Sequence, residues 1–553
     1  MGRSRIPRHL ARIAAASAAT LLLVPASSLA ADEFRSGVTA GEVTNQSAIV
    51  WARTNRQAYV KAQVATDNLF QNVVAERTLL ASDDNDHTVQ TKFGGLSADT
   101  RYHYRFCFSD GSPCSNRGTF KTAPSPDADK TIKFAYSGDE TAVAAPGDTH
   151  PFWGNSKAFA SMVAEHNNFN IDLGDVIYSD PEVPGVAPVT GLGGKWAMYR
   201  SKLGLLNMQR LRQASGLYNH WDDHEFINDF SPNENTFTAS NGQTIKIDPR
   251  KLYNRSVRAF RDYEPVTFSQ DRGIYRSFRW GQNLQVFFLD ERSFRSPKAS
   301  AGHTCDNPDT GKPDLAPTAP KNTRTFFANL APSLSQPVSQ ACKDKINNST
   351  RTFLGKDQLD RFVYQVAHST ARWKVVMNET PIQQFYALPY DRWEGYAYER
   401  VQLLKRLRNA NVKHVVFLTT DTHGALANVV RYRTLSGDVA PSNVPSGTPP
   451  IDSPYQDFVI GPVATKTFWQ EIDDETGTSG SGQAISNAFF KPAATGSSPP
   501  GGMGMACAQG GENSYAEVTA SSTSLTIEYK DENGNVLLDS DGTTPCGPYV
   551  LPF

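Results

Sequence analysis

Polar and apolar residues alternate in short runs near the start of the chain. Ser47-Ala-Ile-Val-Trp-Ala-Arg53, Tyr59-Val-Lys-Ala-Gln-Val64 and Thr100-Arg-Tyr-His-Tyr-Arg-Phe-Cys107 each carry a period of two. That period sends successive side chains to opposite faces of a strand. Thr44-Asn45 and Ser109-Asp110-Gly111 supply turns between the runs. The pattern predicts an all-β unit over residues 33–125, a small sandwich of the immunoglobulin or fibronectin type. Thr122-Ala-Pro-Ser-Pro-Asp127 reads as a linker after it.

The period then changes. Residues 131–136, 170–173, 373–377 and 414–419 are apolar runs of strand length, and 275–280 with 284–289 read as a hairpin around Gly281-Gln282. Residues 155–165, 195–212, 250–263, 356–367 and 396–407 carry helical spacing. Strand and helix in alternation predict a layered α/β domain with a mixed sheet over residues 130–553. Residues 296–350, 436–453 and 473–504 are rich in Pro, Gly, Ser, Ala or Asn and read as long loops. Glu532-Asn533-Gly534, between apolar runs, marks a late hairpin.

Several predicted strands end the same way. An apolar run stops, and polar ligand types follow: Phe134-Ala-Tyr-Ser-Gly-Asp139; Asn170-Ile-Asp-Leu-Gly-Asp175, with Tyr178 beyond; Leu217-Tyr-Asn-His-Trp-Asp-Asp-His-Glu225; Val375-Val-Met-Asn378; Val415-Val-Phe-Leu-Thr-Thr-Asp-Thr-His-Gly424. In α/β sheets ligands bind outside the carboxyl ends of strands, so distant segments can converge on one site. Asp139, Asp175, Tyr178, Asp223, Asn378, Asp421 and His423 make an oxygen-rich, hard donor set, unlike a Cys- or His-dominated zinc site. With its carboxylates and phenol ionised the set supplies about −5, which one trivalent and one divalent cation balance; a phenolate favours Fe3+, and Ca2+ or Mn2+ suits the carboxylates. Two cations suit displacement at phosphorus. His224, beside Asp223, is placed to protonate a leaving oxygen.

Composition narrows the setting. The chain has 553 residues, 39% hydrophobic and 20% charged, which is ordinary for a globular protein of more than one domain. A net charge of −1 gives no nucleic-acid signature. Residues 1–30 read as a signal peptide. Arg3, Arg5, Arg8 and Arg12 lead an apolar run over 13–24, and Ser28-Leu29-Ala30 suits cleavage. The run is too short to span a bilayer, and no adjacent Arg pair marks a twin-arginine route. A secreted protein without a transmembrane segment is expected, and a monomer. Six cysteines agree with export. Each falls with a partner in one local segment, so the pairs Cys107 with Cys114, Cys305 with Cys342 and Cys507 with Cys546 are expected.

Gly174-Asp-Val-Ile-Tyr178, His220-Trp-Asp-Asp-His-Glu225, Leu289-Asp-Glu-Arg292 and Thr420-Asp-Thr-His-Gly424 together resemble the PhoD-like alkaline phosphatase/phosphodiesterase family, within the calcineurin-like metallophosphoesterases. The resemblance covers nearly all of residues 33–553. It implies a four-layer α/β/β/α catalytic domain behind the β-sandwich, and a dinuclear Fe3+ and Ca2+ site, with Mn2+ or Zn2+ as substitutes. It implies that Asp175 bridges two metals, that Asp139, Tyr178 and His423 complete the iron side, and that Asp223, Asn378 and Asp421 hold the second ion. His224 is then the acid or phosphate contact. Arg292 binds a phosphate oxygen or pairs with Asp290. Many members carry Cys where this chain has Asp139, which makes the site harder. The expected activity is hydrolysis of small phosphomonoesters, phosphodiesters or both by an activated water. The alternatives are a phospholipase D-type diesterase and a non-catalytic secreted binding protein.

Overall fold

The computed structural model describes residues 33–111, 113–433, 451–492 and 502–553. The expected signal peptide and parts of the Gly-, Pro- and Ser-rich stretches lie outside the described residues. The first strands are β1 (Val38–Gly41), β2 (Ser47–Arg53), β3 (Ala58–Ala65), β4 (Val73–Ala81), β5 (Thr88–Gly94), β6 (Arg101–Phe108) and β7 (Gly118–Lys121). They make two facing sheets, β1-β2-β5 and β4-β3-β6-β7. Val38, Val50 and Val89 of one face Val60, Tyr104 and Phe106 of the other across a common core. This is the sandwich that the alternation predicts. Its first sheet does not stop there. Ala40 of β1 pairs in parallel with Gly216 of the following strands, so the sheet runs on into the α/β layers.

Those layers are built from β8 (Ile132–Ser137), α1 (Lys157–Ala164), β9 (Phe169–Leu173), α2 (Leu192–Leu203), α3 (Leu206–Ala214) and β10 (Gly216–His220). A small hairpin, β11 (Thr236–Thr238) and β12 (Thr244–Lys246), precedes α4 (Pro249–Tyr263), β13 (Arg276–Trp280) and β14 (Leu284–Phe288). Then come α5 (Lys321–Phe327), α6 (Gln340–Ile346), α7 (Lys356–Ala367), β15 (Trp373–Asn378), α8 (Ala397–Asn409), β16 (Val415–Thr419), β17 (Ala425–Arg433) and β18 (Ile451–Val459). The chain closes with α9 (Phe468–Thr476), α10 (Ser481–Ile485), β19 (Cys507–Gln509), β20 (Ser514–Ala520), β21 (Ser524–Asp531) and β22 (Tyr549–Pro552). One sheet has the order β22-β21-β20-β8-β9-β10-β1-β2-β5, the other β13-β14-β15-β16-β18-β17-β19. Phe134, Phe169 and Tyr218 of the first pack against Val375, Val416 and Phe458 of the second. Helices α1 to α4 cover the outer face of the first through Phe159, Leu203, Leu211 and Phe260. Helices α7 and α8 cover the second through Phe362, Leu404 and Leu407. The architecture is four layers, α/β/β/α, and strands buried on both faces explain the unbroken apolar runs.

Three local readings differ. The spacing predicts one helix over 195–212, but it breaks at Gly204, where the chain leaves α2 and restarts as α3. Residues 296–350 contain α5 and α6, and 473–504 contain the end of α9 and all of α10. The expected disulfides form: Cys107–Cys114, Cys305–Cys342 and Cys507–Cys546.

The second sheet carries a pH-sensitive anchor. Asp457 on β18 accepts hydrogen bonds from Ile382 N (2.9 Å), Gln383 N (3.1 Å) and Thr419 Oγ1 (2.7 Å), tying the chain beyond β15 to β16. Burial raises its pKa to about 6, against the pull of those donors. The folded protein therefore keeps a proton that the unfolded chain sheds from about pH 4. The cost of ionising Asp457 grows as pH rises through that window and reaches about 3 kcal/mol above pH 6. The Asp457→Asn variant should gain stability over the parent by that order between pH 4 and pH 7 in urea unfolding. A difference that does not change with pH would refute the assignment.

Candidate metal centre

Strands β8, β9 and β10 run parallel, as do β14, β15 and β16. Their carboxyl ends face one edge and meet there. Thr420 Oγ1, beyond β16, donates to Leu173 O of β9 at 2.6 Å, and Asp421 N donates to Asp139 Oδ1 at 3.2 Å. The chain turns sharply at each end. Asp139 (φ 61°), Asp175 (φ 51°), Asp421 (φ 65°) and His423 (φ 54°) all sit in the left-handed region. Such positions cost non-glycine residues about 1–3 kcal/mol and collect where a site demands them. Gly174 (φ 86°) permits a close approach: a Cβ there would lie 2.8 Å from Asp222 Cβ.

The candidate side chains form overlapping groups. Asp139, Asp175 and His423 bring ligand atoms within 4.8 Å of one another; so do Asp175, Asp223 and His224, and again Asp222, Asp223 and Asp421. Asp175 and Asp223 each belong to two of these three groups, so the cluster is continuous. Tyr178 Oη lies 2.9 Å from His423 Nε2. Asp139 Oδ2 and Asp223 Oδ1 are buried and take no hydrogen bond. Burial raises Asp139 to about 7 and Asp223 to about 6, although His423 and Arg292 respectively oppose the rise. Burial, then repulsion from neighbouring carboxylates, pushes Asp175 and Asp421 well above the usual carboxylate range. Burial and Asp175 push the Tyr178 phenol up too. This many buried carboxyls ionise together only with added positive charge. Oxygen donors with unused lone pairs around a shared Asp175 fit a pair of hard cations.

His224 sits beside this cluster. Its Nδ1 is 2.7 Å from Asp180 Oδ1, and its ring stacks on Tyr178 at 4.1 Å between centroids. Asp180 is held in turn by Asn228 N and Ser240 N, both at 3.1 Å. Burial alone would lower the imidazole pKa; Asp223, Asp175 and Asp180 outweigh it and raise it well above its ordinary value. His423 shows the same balance: Glu471 Oε1, 2.6 Å from Nδ1, overcomes burial and raises the ring to about 9.

Two candidates need closer description. The Arg292 side chain does not pair with Asp290. It binds Asp222 through Nε and Asp391 through Nη1 (2.7 Å). Its Nη2 has no hydrogen bond and lies 3.8 Å from both Asp223 and Asp421. Asp290 instead accepts from Trp221 Nε1 and from the backbone of Arg292 and Ser293. Asn378 ends β15, but its amide is engaged locally: Oδ1 accepts from Trp393 Nε1 at 3.1 Å and Nδ2 donates to Thr380 O. One lone pair of Oδ1 stays available.

Other supports escape sequence reasoning. Asp180 lies in the turn of Asp175 and Tyr178, Glu471 on α9 and Asp391 in the loop before α8, and none of the three carries a motif of its own. Glu225 had a signal, since it ends the His220–Glu225 run. It accepts from Val176 N, Ile177 N (3.1 Å) and Asp222 N (2.7 Å), and so shapes both acidic turns. Residues 296–350 border the cluster. Lys298 pairs with Asp229, whose backbone N donates to Asp223, while Leu315, Phe327 and Leu330 line an apolar groove against Phe468 and Ile472 of α9.

Residues 142–493 match the PhoD-like phosphatase family, and residues 16–124 match the PhoD-like phosphatase N-terminal domain. The chain belongs to the PhoD-like phosphatase family. Alkaline phosphatase D of Bacillus subtilis (strain 168) is 25% identical over 435 residues, 71% of this chain. The matched part spans 65% of that relative's length. A solved structure of PhoD aligns with TM-score 0.66 at 18% identity, covering 94% of this chain and 89% of that one. Purple acid phosphatase PPD1 from yellow lupin (Lupinus luteus) seeds aligns with TM-score 0.50 at 10% identity, covering 91% and 72%. At such identities these two structures speak for the fold of the family and no more.

Proposed function

We propose that the protein is an exported, monomeric, metal-dependent phosphoesterase acting on small phosphate esters. The carrying observation is the cluster in which Asp175 is shared between two donor groups, with His224, held by Asp180, beside it. Asp139, Asp175, Tyr178 and His423 would hold Fe3+; Asp175, Asp223, Asn378 and Asp421 would hold Ca2+. Such ions supply positive charge for phosphate oxygens and acidify water. The chain does the rest. Asp180 fixes His224 through Nδ1 and leaves Nε2 to carry a proton towards the leaving oxygen. That oxygen takes the proton as its bond to phosphorus breaks, and water supplies the new bond. Arg292 Nη2, buried and unspent, donates to a phosphate oxygen. Three disulfides suit an oxidising compartment, and no described helix is long and apolar enough to cross a membrane.

The apolar groove beside α9 favours a second reading, a diesterase of phospholipase D type. Parallel kcat/KM values for nitrophenyl phosphate, bis-nitrophenyl phosphate and phosphatidylcholine vesicles decide between them. Turnover of the soluble esters is expected. Activity on vesicles alone would favour the second reading, and activity on none of the three would reject both.

A further inference from the structure

Helix α2 buries polar side chains along one stripe. Lys195, Tyr199 and Lys202 recur at i, i+4 and i+7, and each is at most 1% exposed. That stripe faces the sheet and is ordinarily apolar. A buried ammonium is costly unless it is paired, so two of them on one helix need an account.

Their partners give one. Lys202 Nζ meets Glu140 Oε1 and, at 3.1 Å, Asp172 Oδ2. Glu140 follows Asp139 directly, and Asp172 lies on β9 just before Asp175. The two turns also touch through backbone: Asp139 N donates to Gly174 O and Glu140 N to Asp175 O, each at 3.3 Å. Lys202 thus joins, from behind the sheet, the two segments that carry Asp139 and Asp175. Lys195 Nζ donates to Ser179 Oγ (2.6 Å), Glu225 O (2.8 Å) and Phe226 O (3.0 Å). Ser179 follows Tyr178, and Glu225 follows His224. Lys195 thus joins the turn of Tyr178 to the turn of Asp223 and His224. The partners of both lysines are neighbours of the candidate ligands, not the ligands themselves.

We propose that α2 is the positioning element of the metal centre. Lys202 sets the spacing of Asp139 and Asp175, and Lys195 that of Tyr178 and the Asp223–His224 turn. The inference rests on the dinuclear reading and adds residues that neither bind metal nor touch substrate. Groups that orient ligands in this way typically change metal affinity about 10–100-fold when removed.

The test compares full-length wild type with Lys202→Met, Lys202→Arg, Lys195→Met and the double variant Lys202→Met/Glu140→Gln. The double variant removes one buried charge of each sign, which guards against simple misfolding. Iron and calcium retained after dialysis against graded EDTA give relative affinities, and thermal unfolding of the stripped proteins reports the fold. The double variant should unfold within a few degrees of stripped wild type and yet release iron at about 10–100-fold lower EDTA. Lys202→Arg should recover part of the loss, and Lys195→Met should weaken retention in the same way. A double variant and a Lys195→Met variant that both retain ions like wild type would overturn the proposal alone. Wild type without either ion would overturn the dinuclear reading, and this inference with it.

Discussion

The His224→Ala variant loses turnover by about 10²–10⁴-fold and keeps its metal content, the range expected when a positioned general acid is removed. The effect is large because nothing nearby replaces the group. Asp180 and the ring of Tyr178 hold His224, and neither can deliver a proton to a leaving oxygen from its place. Metal content should stay near wild type because the other donors keep their own supports: Glu471 for His423 and Glu225 for the acidic turns. The loss should be smaller for esters with acidic leaving groups, which need less protonation. Equal losses of metal and turnover would make His224 a ligand or a structural residue. Unchanged turnover would remove His224 from the mechanism.

The Asp175→Ala variant is expected to lose both ions and to fall further in activity than the about 10²–10³-fold typical for one charge-stabilising group. Asp175 is shared between the group with Asp139 and His423 and the group with Asp223. Its Oδ1 also accepts from His224 N at 3.0 Å, so its removal frees the acid's backbone as well. Asp421→Ala, by contrast, should empty one position and leave iron bound. Element analysis of both variants checks this. Iron retained in Asp175→Ala at the wild-type level would refute the shared role.

The strands were legible because a parallel sheet buried on both faces must be apolar throughout and must stop abruptly at a polar turn. Residues 170–178 display both features, and so do 415–424. Alternation likewise revealed three sandwich strands, β2, β3 and β6. It tells which face a side chain takes and says nothing of which strand lies alongside, so the pairing of Ala40 with Gly216 was hidden. The break between α2 and α3 was hidden for a related reason. Apolar spacing continues in phase across Gly204, and only the helix C-cap there ends the first helix. Helices α5, α6 and α10 span at most two turns, too few for periodicity to stand out from a loop-like composition.

The same contrast holds within the site. Ligand types at strand ends stand next to each other in sequence blocks, so Asp139, Asp175, Asp223, Asp421 and His423 could be picked out. Asp180, Glu471 and Asp391 act at a distance, through His224, His423 and Arg292. A carboxylate that holds another side chain looks in sequence like any surface acid. Lys195 and Lys202 are the same problem in reverse: lysines at i and i+7 read as a solvated stripe until the fold buries them.

The most direct test is to strip the purified protein of metal with a chelator, then reload it with Fe3+ and Ca2+ while following bound metal and nitrophenyl phosphate hydrolysis together. Both ions should bind near one per chain, activity should vanish on stripping, and it should return only when both are restored. Full activity in the stripped protein, or binding of zinc alone with full activity, would contradict the account.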